Sequence, residues 1–157
     1  MKKIIAKNQI SALASRLHRS GKRIVFTNGV FDILHAGHVD YLTKARKLGD
    51  VLVLGVNTDS SVKINKGDKR PIVNYRDRAK LLAALTVVDY IVPLDRRTPD
   101  RLIPMINPDI LVKGAEYKIS QIVGAGHVLS HGGRVVRMKM VKGLSTSEII
   151  RRIKNAY

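Results

Sequence analysis

Val51-Leu52-Val53-Leu54-Gly55-Val56 is apolar at every position, so a strand built from it buries both faces. A strand covered on one side only would alternate apolar with polar residues. Shorter runs of the same kind recur at Ile24-Val25-Phe26, Tyr90-Ile91-Val92 (ended by Pro93), Ile110-Leu111-Val112 and Arg134-Val135-Val136. Between them lie stretches with helical periodicity. Ile10, Leu13, Ala14 and Leu17 form one stripe, and Val39, Leu42, Ala45 and Leu48 a second. Arg78 to Leu85, Thr98 to Ile106 and Ser145 to Lys154 complete the set. Strands alternating with helices imply an α/β fold, a doubly wound parallel five-stranded sheet with helices on both faces. At 157 residues the expectation is a single domain over 1–157. In such folds ligands sit at the carboxyl ends of the strands, where the chain reverses direction across the sheet.

Composition excludes several chemistries. The absence of cysteine removes disulfides, thiolate metal sites and a cysteine nucleophile. No apolar run is long enough to span a bilayer, and the basic start Met1-Lys2-Lys3 lacks the apolar core of a signal peptide, so a cytoplasmic protein is expected. Lys plus Arg is 29 against 12 Asp plus Glu, a formal charge of +17. That field attracts polyanions. The cations are spread along the whole chain, and two Phe and five Tyr make a poor base-stacking platform. Charge therefore points to a phosphate-bearing small molecule before nucleic acid.

The carboxyl end of the first strand runs Thr27-Asn28-Gly29-Val30-Phe31-Asp32-Ile33-Leu34-His35-Ala36-Gly37-His38. His35 and His38 stand at i, i+3 and share one face of an opening helical turn. A helix start offers free N–H groups and partial positive charge to a phosphate, and Gly37 leaves room for close approach. Two imidazole donors there can stabilise charge that builds on a phosphoryl group in transfer. The spacing is not the His-Glu-x-x-His of a zinc helix, and no P-loop is present. His127 and His131 do stand at i, i+4, but no carboxylate or thiol follows; they read as a solvated face. Gly124-Ala125-Gly126 lacks the context of a dinucleotide fingerprint. Ser145 and Glu148 form a capping box at the last helix.

The segment Gly29-Val30-Phe31-Asp32 followed by His35-Ala36-Gly37-His38 resembles the signature of the cytidylyltransferase-like nucleotidyltransferases, and Gly143-Leu144-Ser145-Thr146-Ser147 resembles their carboxyl-terminal Ser-Thr segment. Within that family the sequence from Gly21 to Ile153 is most similar to the heptose 1-phosphate adenylyltransferases, a branch often fused to a sugar kinase; this chain resembles the free-standing form. The resemblance implies a Rossmann-like nucleotidyltransferase fold and transfer of AMP from ATP to a sugar 1-phosphate. CTP-dependent transfer to glycerol 3-phosphate or another small phosphate ester is the alternative, and a basic nucleic-acid-binding module without activity is the rival of a different class. Met140 and Val141, in place of Arg-Thr, argue against the glycerol phosphate branch. Glu116 stands where Asp is common.

The resemblance also implies roles. His35 and His38 act on the α-phosphoryl group, and Lys66 and Lys69 bridge nucleotide and acceptor phosphates, with Lys63 a competitor for that position. Asn28, Gly29, Val30, Phe31, Asp32, Gly37, Lys113, Gly114, Ser145, Thr146 and Ser147 hold the nucleotide. Asn57, Asp59, Arg70 and Arg78 face the acceptor. Mg²⁺ accompanies the triphosphate without a protein cage. A homo-oligomer is the expected assembly.

Overall fold

A computed structural model describes residues 2–157. Five strands form one parallel sheet: β1 (Ile24–Gly29), β2 (Val51–Asn57), β3 (Tyr90–Leu94), β4 (Ile110–Gly114) and β5 (Arg134–Met138). Their order across the sheet is β3-β2-β1-β4-β5, the doubly wound topology expected from the alternating pattern. The helices are α1 (Ile10–Arg19), α2 (Ala36–Arg46), α3 (Asp59–Lys66), α4 (Tyr75–Ala84), α5 (Leu102–Ile106), α6 (Ala125–Ser130) and α7 (Thr146–Ala156).

Alternation along each strand sorts the core into two clusters. Phe26, Val53, Val92 and Leu111 point to one face, where α1, α5 and α6 supply Leu13, Ile103 and Val128. Val25, Leu52, Leu54, Ile91 and Val112 point to the other, against Leu42 and Ala45 of α2 and Leu82 of α4. Every residue of β2 is buried, as a strand apolar on both sides must be. Carboxylates tie down strand beginnings. Asp109 Oδ2 accepts from Ile24 N at 2.7 Å, and Asp89 Oδ2 from Leu52 N at 2.8 Å.

Several boundaries differ from the sequence reading. Pro93 lies within β3, opposite Val56, and does not end it; β3 is an edge strand, where a missing N–H is tolerated. The helix expected over Thr98 to Ile106 is confined to Leu102–Ile106. The helix placed at Arg78 starts at Tyr75, with Asn74 capping Asp77 N. α3 has no counterpart in the sequence reading, because it buries only Ser61 and Val62 and so shows no apolar stripe. Its signal is a cap: Thr58 accepts from Ser61 N. Lys66 therefore ends a helix, and Lys69 alone lies in the loop after it.

The crossovers run from β1 through β2 to β3 on one side, and the chain then returns to place β4 and β5 on the other. The switch lies between β1 and β4, and a crevice opens outside their carboxyl ends.

Candidate active site

The crevice has two connected lobes. One, of about 380 Å³, is lined by Asp32, His35, His38, Lys66, Arg70 and the Ser145-Thr146-Ser147 run. The other, of about 200 Å³, is lined by Asn28, Gly29, Tyr41, Lys113, Gly114 and Tyr117. Val30, Phe31, His38, Glu116 and Met140 border both. A larger groove of about 510 Å³ beside α1, with Arg16 and Arg19 on its rim, contains none of the motif residues.

His35 is the N-cap of α2 and His38 its third residue. The rings stack, with centroids 3.7 Å apart and planes 21° from parallel. The backbone N–H of His35 donates to His38 Nδ1 at 3.4 Å. That nitrogen must then be the acceptor, which leaves the proton on His38 Nε2. Burial pushes the His38 pKa down to about 4, with the neighbouring His35 adding to the shift, and burial also lowers that of His35. Both rings are neutral at pH 7. His35 Nδ1 is buried without a hydrogen-bond partner. A buried polar atom costs energy unless something satisfies it, which marks this nitrogen as poised for a ligand.

Glycine and strain set the rings in place. A Cβ on Gly37 would stand 3.0 Å from His35 Nδ1 and 3.1 Å from Leu144 Cβ, so the imidazole and the segment leading into α7 close on a bare backbone. Phe31 holds a left-handed conformation at φ 50° and meets the His38 ring edge-on at 5.0 Å. A Cβ on Gly29 would lie 2.8 Å from that phenyl ring. Left-handed backbone at a residue with a side chain costs about 1–3 kcal/mol and persists only where packing imposes it. Here the packing is the wedge beneath His38.

At the rim of the larger lobe Arg70 Nε donates to Asp32 Oδ2 at 2.6 Å. Asp32 also accepts from the N–H groups of Ile72 and Val73. Burial by itself would raise the Asp32 pKa; the Val73 and Ile72 N–H groups and the Arg70 guanidinium outweigh it and hold the carboxyl below its ordinary range. Asp32 thus orients Arg70 and the 70–73 loop, and its own charge is spent on them. Ser145 caps α7 by accepting from Glu148 N at 3.1 Å, while Thr146 Oγ1 donates to Ile33 O at 3.4 Å. The start of α7 and the start of α2 therefore open into one lobe.

Across the switch point Lys113 Nζ donates to Asn28 Oδ1 at 2.6 Å, joining the ends of β4 and β1. Burial lowers the Lys113 pKa to about 8, against a smaller opposing pull from Glu116. The Glu116 carboxylate folds over Gly114, where any Cβ would collide with it.

The structure gathers most of the residues singled out in the sequence, but not all. Lys66 lines the crevice; Lys63 and Lys69, although exposed, do not line either lobe. Arg78, expected to face the acceptor, is buried with its side chain sealed from solvent. Its guanidinium donates to Val30 O, Val73 O and Asp59 Oδ1, so it struts the loops from beneath. Asp59 also accepts from Tyr75 N, and buried Asn57 donates to Ser61 Oγ. These three residues hold the wall of the crevice and do not line it. Glu116, Tyr41 and Tyr117 are site residues that the motifs alone did not assign; the Glu116 signal was its place just beyond Lys113-Gly114 at the end of a strand.

The sequence model of the cytidylyltransferase-like family matches residues 26–152, which spans both lobes. The chain belongs to that family. The chain is accordingly a nucleotidyltransferase enzyme. Among the relatives, the bifunctional protein HldE of Citrifermentans bemidjiense is 52% identical over 143 residues, which cover 91% of this chain and 29% of that protein. HldE of Pelobacter propionicus is 49% identical over 155 residues, 99% of this chain and 32% of its own. The chain thus spans about three-tenths of the length of these curated relatives. Among solved structures, the lipopolysaccharide core biosynthesis protein from Thermoplasma volcanium superposes with a TM-score of 0.66 at 32% identity, covering 78% of this chain and 100% of that one. A pantoate-beta-alanine ligase from Francisella tularensis, at 15% identity, TM-score 0.63 and coverage of 98% and 77%, shares the fold.

Proposed function

We propose that this cytidylyltransferase-like chain transfers AMP from ATP to a sugar 1-phosphate, a heptose 1-phosphate in the branch it resembles, releasing pyrophosphate. The observation that carries this reading is the convergence in one lobe of His35, His38, Lys66, Arg70 and the start of α7. A triphosphate and an acceptor phosphate repel one another, and this lobe concentrates donors and cations where the two must meet.

The phosphates lie in the larger lobe and the base in the smaller, with the ribose between them beside Glu116. The acceptor phosphate enters past Lys66 and Arg70. One of its oxygens, already ionised, attacks the α-phosphorus in line with the departing pyrophosphate, so no base and no covalent intermediate is required. The neutral imidazoles donate N–H groups to the α-phosphoryl oxygens, an interaction that strengthens as charge accumulates there. The Ser145-Thr146-Ser147 run adds hydroxyl and backbone donors at a helix start.

Among the described residues no group of three His, Cys, Asp or Glu is clustered to hold a metal ion. Of the two carboxylates that line the crevice among the described residues, Asp32 is paired with Arg70, and Glu116 acts on the Lys113 ammonium without a salt bridge to it. That donor set fits Mg²⁺ only as a companion of the nucleotide, keeping phosphate and water ligands. When bound it screens phosphate charge.

No helix among the described residues is long and apolar enough to cross a membrane. We place the reaction in the cytoplasm, where ATP is supplied, and expect a homo-oligomer, which light scattering would reveal.

Pyrophosphate release, measured with ATP or CTP against heptose 1-phosphate or glycerol 3-phosphate, tests the reading. Turnover only with ATP and the sugar 1-phosphate supports it. Turnover with CTP and glycerol 3-phosphate would replace it with the sibling reaction. No release in any combination, with salt-sensitive duplex binding instead, would favour the nucleic-acid module.

A further inference from the structure

We propose that Tyr41 and Thr27 are positioning residues for the transfer reaction proposed above, their buried bond fixing α2, and with it His38, against the end of β1. Alternation along β1 puts Thr27 on the same face as Val25, turned toward α2. Where another Val would suit the apolar cluster, the sequence carries a hydroxyl with no exposed surface. A buried hydroxyl is costly without a partner. Tyr41, itself buried, supplies one, its OH lying 2.9 Å from Thr27 Oγ1.

The bond lies where it can act on the site. Tyr41 follows His38 by three residues, so both stand on one side of α2, and both line the smaller lobe. Leu42 and Ala45 hold the helix by apolar contact, which is non-directional. Among the described residues, no other side-chain hydrogen bond joins α2 to β1. A hydrogen bond weakens steeply as its angle is lost, so this one resists sliding and turning of the helix. Asn28, next along the strand, accepts from Lys113 and ties the same strand end to β4. The His38 imidazole is thereby set in one frame with the nucleotide lobe.

Neither residue exchanges a proton with substrate. Burial pushes the Tyr41 phenol up to about 12, so it stays protonated at neutral pH. Thr27 lines neither lobe, and its part is played wholly through Tyr41.

Thr27→Val and Tyr41→Phe remove the bond and keep the shapes. Each should lower kcat for pyrophosphate release roughly tenfold, since a misplacement of about 1 Å can cost 10²-fold. The ATP dissociation constant of Thr27→Val should stay close to that of the unaltered chain. The double variant should lose no more than either single one, because both delete the same bond. Thr27→Ser, which keeps the hydroxyl, should retain turnover. A bond that only stabilised the fold would lower the thermal midpoint and leave kcat intact well below it. Histidine ring signals in nitrogen-15 NMR give a readout without turnover: that of His38 should shift in Thr27→Val while that of His127 stays in place. Normal kcat in Thr27→Val beside a crippled His38→Ala, fully additive losses in the double variant, or an unmoved His38 signal would overturn the proposal. Normal kcat in His38→Ala as well would mean that the transfer reading itself fails, and this proposal with it.

Discussion

The imidazoles of His35 and His38 stack at 3.7 Å, a separation at which two charged rings would repel strongly. Burial first, and the neighbouring His35 second, disfavour the proton, and the His38 pKa falls to about 4 from an ordinary 6.5. The unfolded chain binds a proton between those values that the folded chain refuses, so stability is fully present above about pH 6.5 and is lost as pH falls toward 4. Thermal midpoints measured from pH 7 to pH 4 should decline, and His38→Gln should flatten the decline. Parallel slopes in the two proteins would contradict this account.

Removal of either ring should act on turnover more than on binding. A donor that strengthens as charge builds contributes to kcat, and losing one costs about 10²–10³-fold. His35→Ala and His38→Ala should show that fall while ATP dissociation constants, from equilibrium titration, move far less. Near-normal kcat in both variants would remove the imidazoles from the chemistry.

Lys66 alone among the three candidate lysines reaches the crevice. Lys66→Ala should lower kcat/KM for the acceptor by about 10²-fold, the scale of one lost electrostatic donor. Lys63→Ala and Lys69→Ala should leave it close to unchanged. Steady-state kinetics at saturating ATP distinguishes these outcomes, and an equal effect at Lys69 would reassign the role.

Arg78 predicts a different phenotype. Its donors, buried themselves, satisfy the carbonyls of Val30 and Val73 as well as Asp59. Arg78→Met should cost about 3 kcal/mol or more, since breaking a buried charged network leaves its acceptors unpaired. Urea unfolding would show this as a lowered midpoint. A variant of native stability that had lost only acceptor affinity would restore Arg78 to the substrate.

Lys113 supplies a pH test of the smaller lobe. With its pKa lowered to about 8 by burial, the ammonium is charged below that pH and neutral above it. ATP affinity should weaken as pH rises through 8, and Lys113→Met should be weak and flat across the same range. Fluorescence titration at constant ionic strength would record it.

Much of this architecture can be read without coordinates. β2 could be recognised because a segment apolar at every position can only lie inside a covered parallel sheet. The His35/His38 pair was legible because a strand, a glycine turn and a helix start follow one another locally, and the Ser145 cap because its partner Glu148 is three residues away. α3 escaped because two buried residues make no periodicity. The inward position of Arg78 is not legible, because an arginine among phosphate-site motifs looks the same in sequence whether it faces solvent or the carbonyls of Val30 and Val73.

The order of residues by itself determined the parallel sheet, the glycine turn that carries the two imidazoles into a helix start, and the Ser145 cap of the last helix, since each rests on contacts within a few positions or on the period of apolar side chains. Only the tertiary structure decided which lysine enters the crevice, that Asp32 spends its charge on Arg70, and that Asn107 steadies His127. The first depends on which side of α3 faces the crevice, and the other two on side chains 20 or more positions apart meeting at hydrogen-bond distance; no local pattern encodes such a meeting.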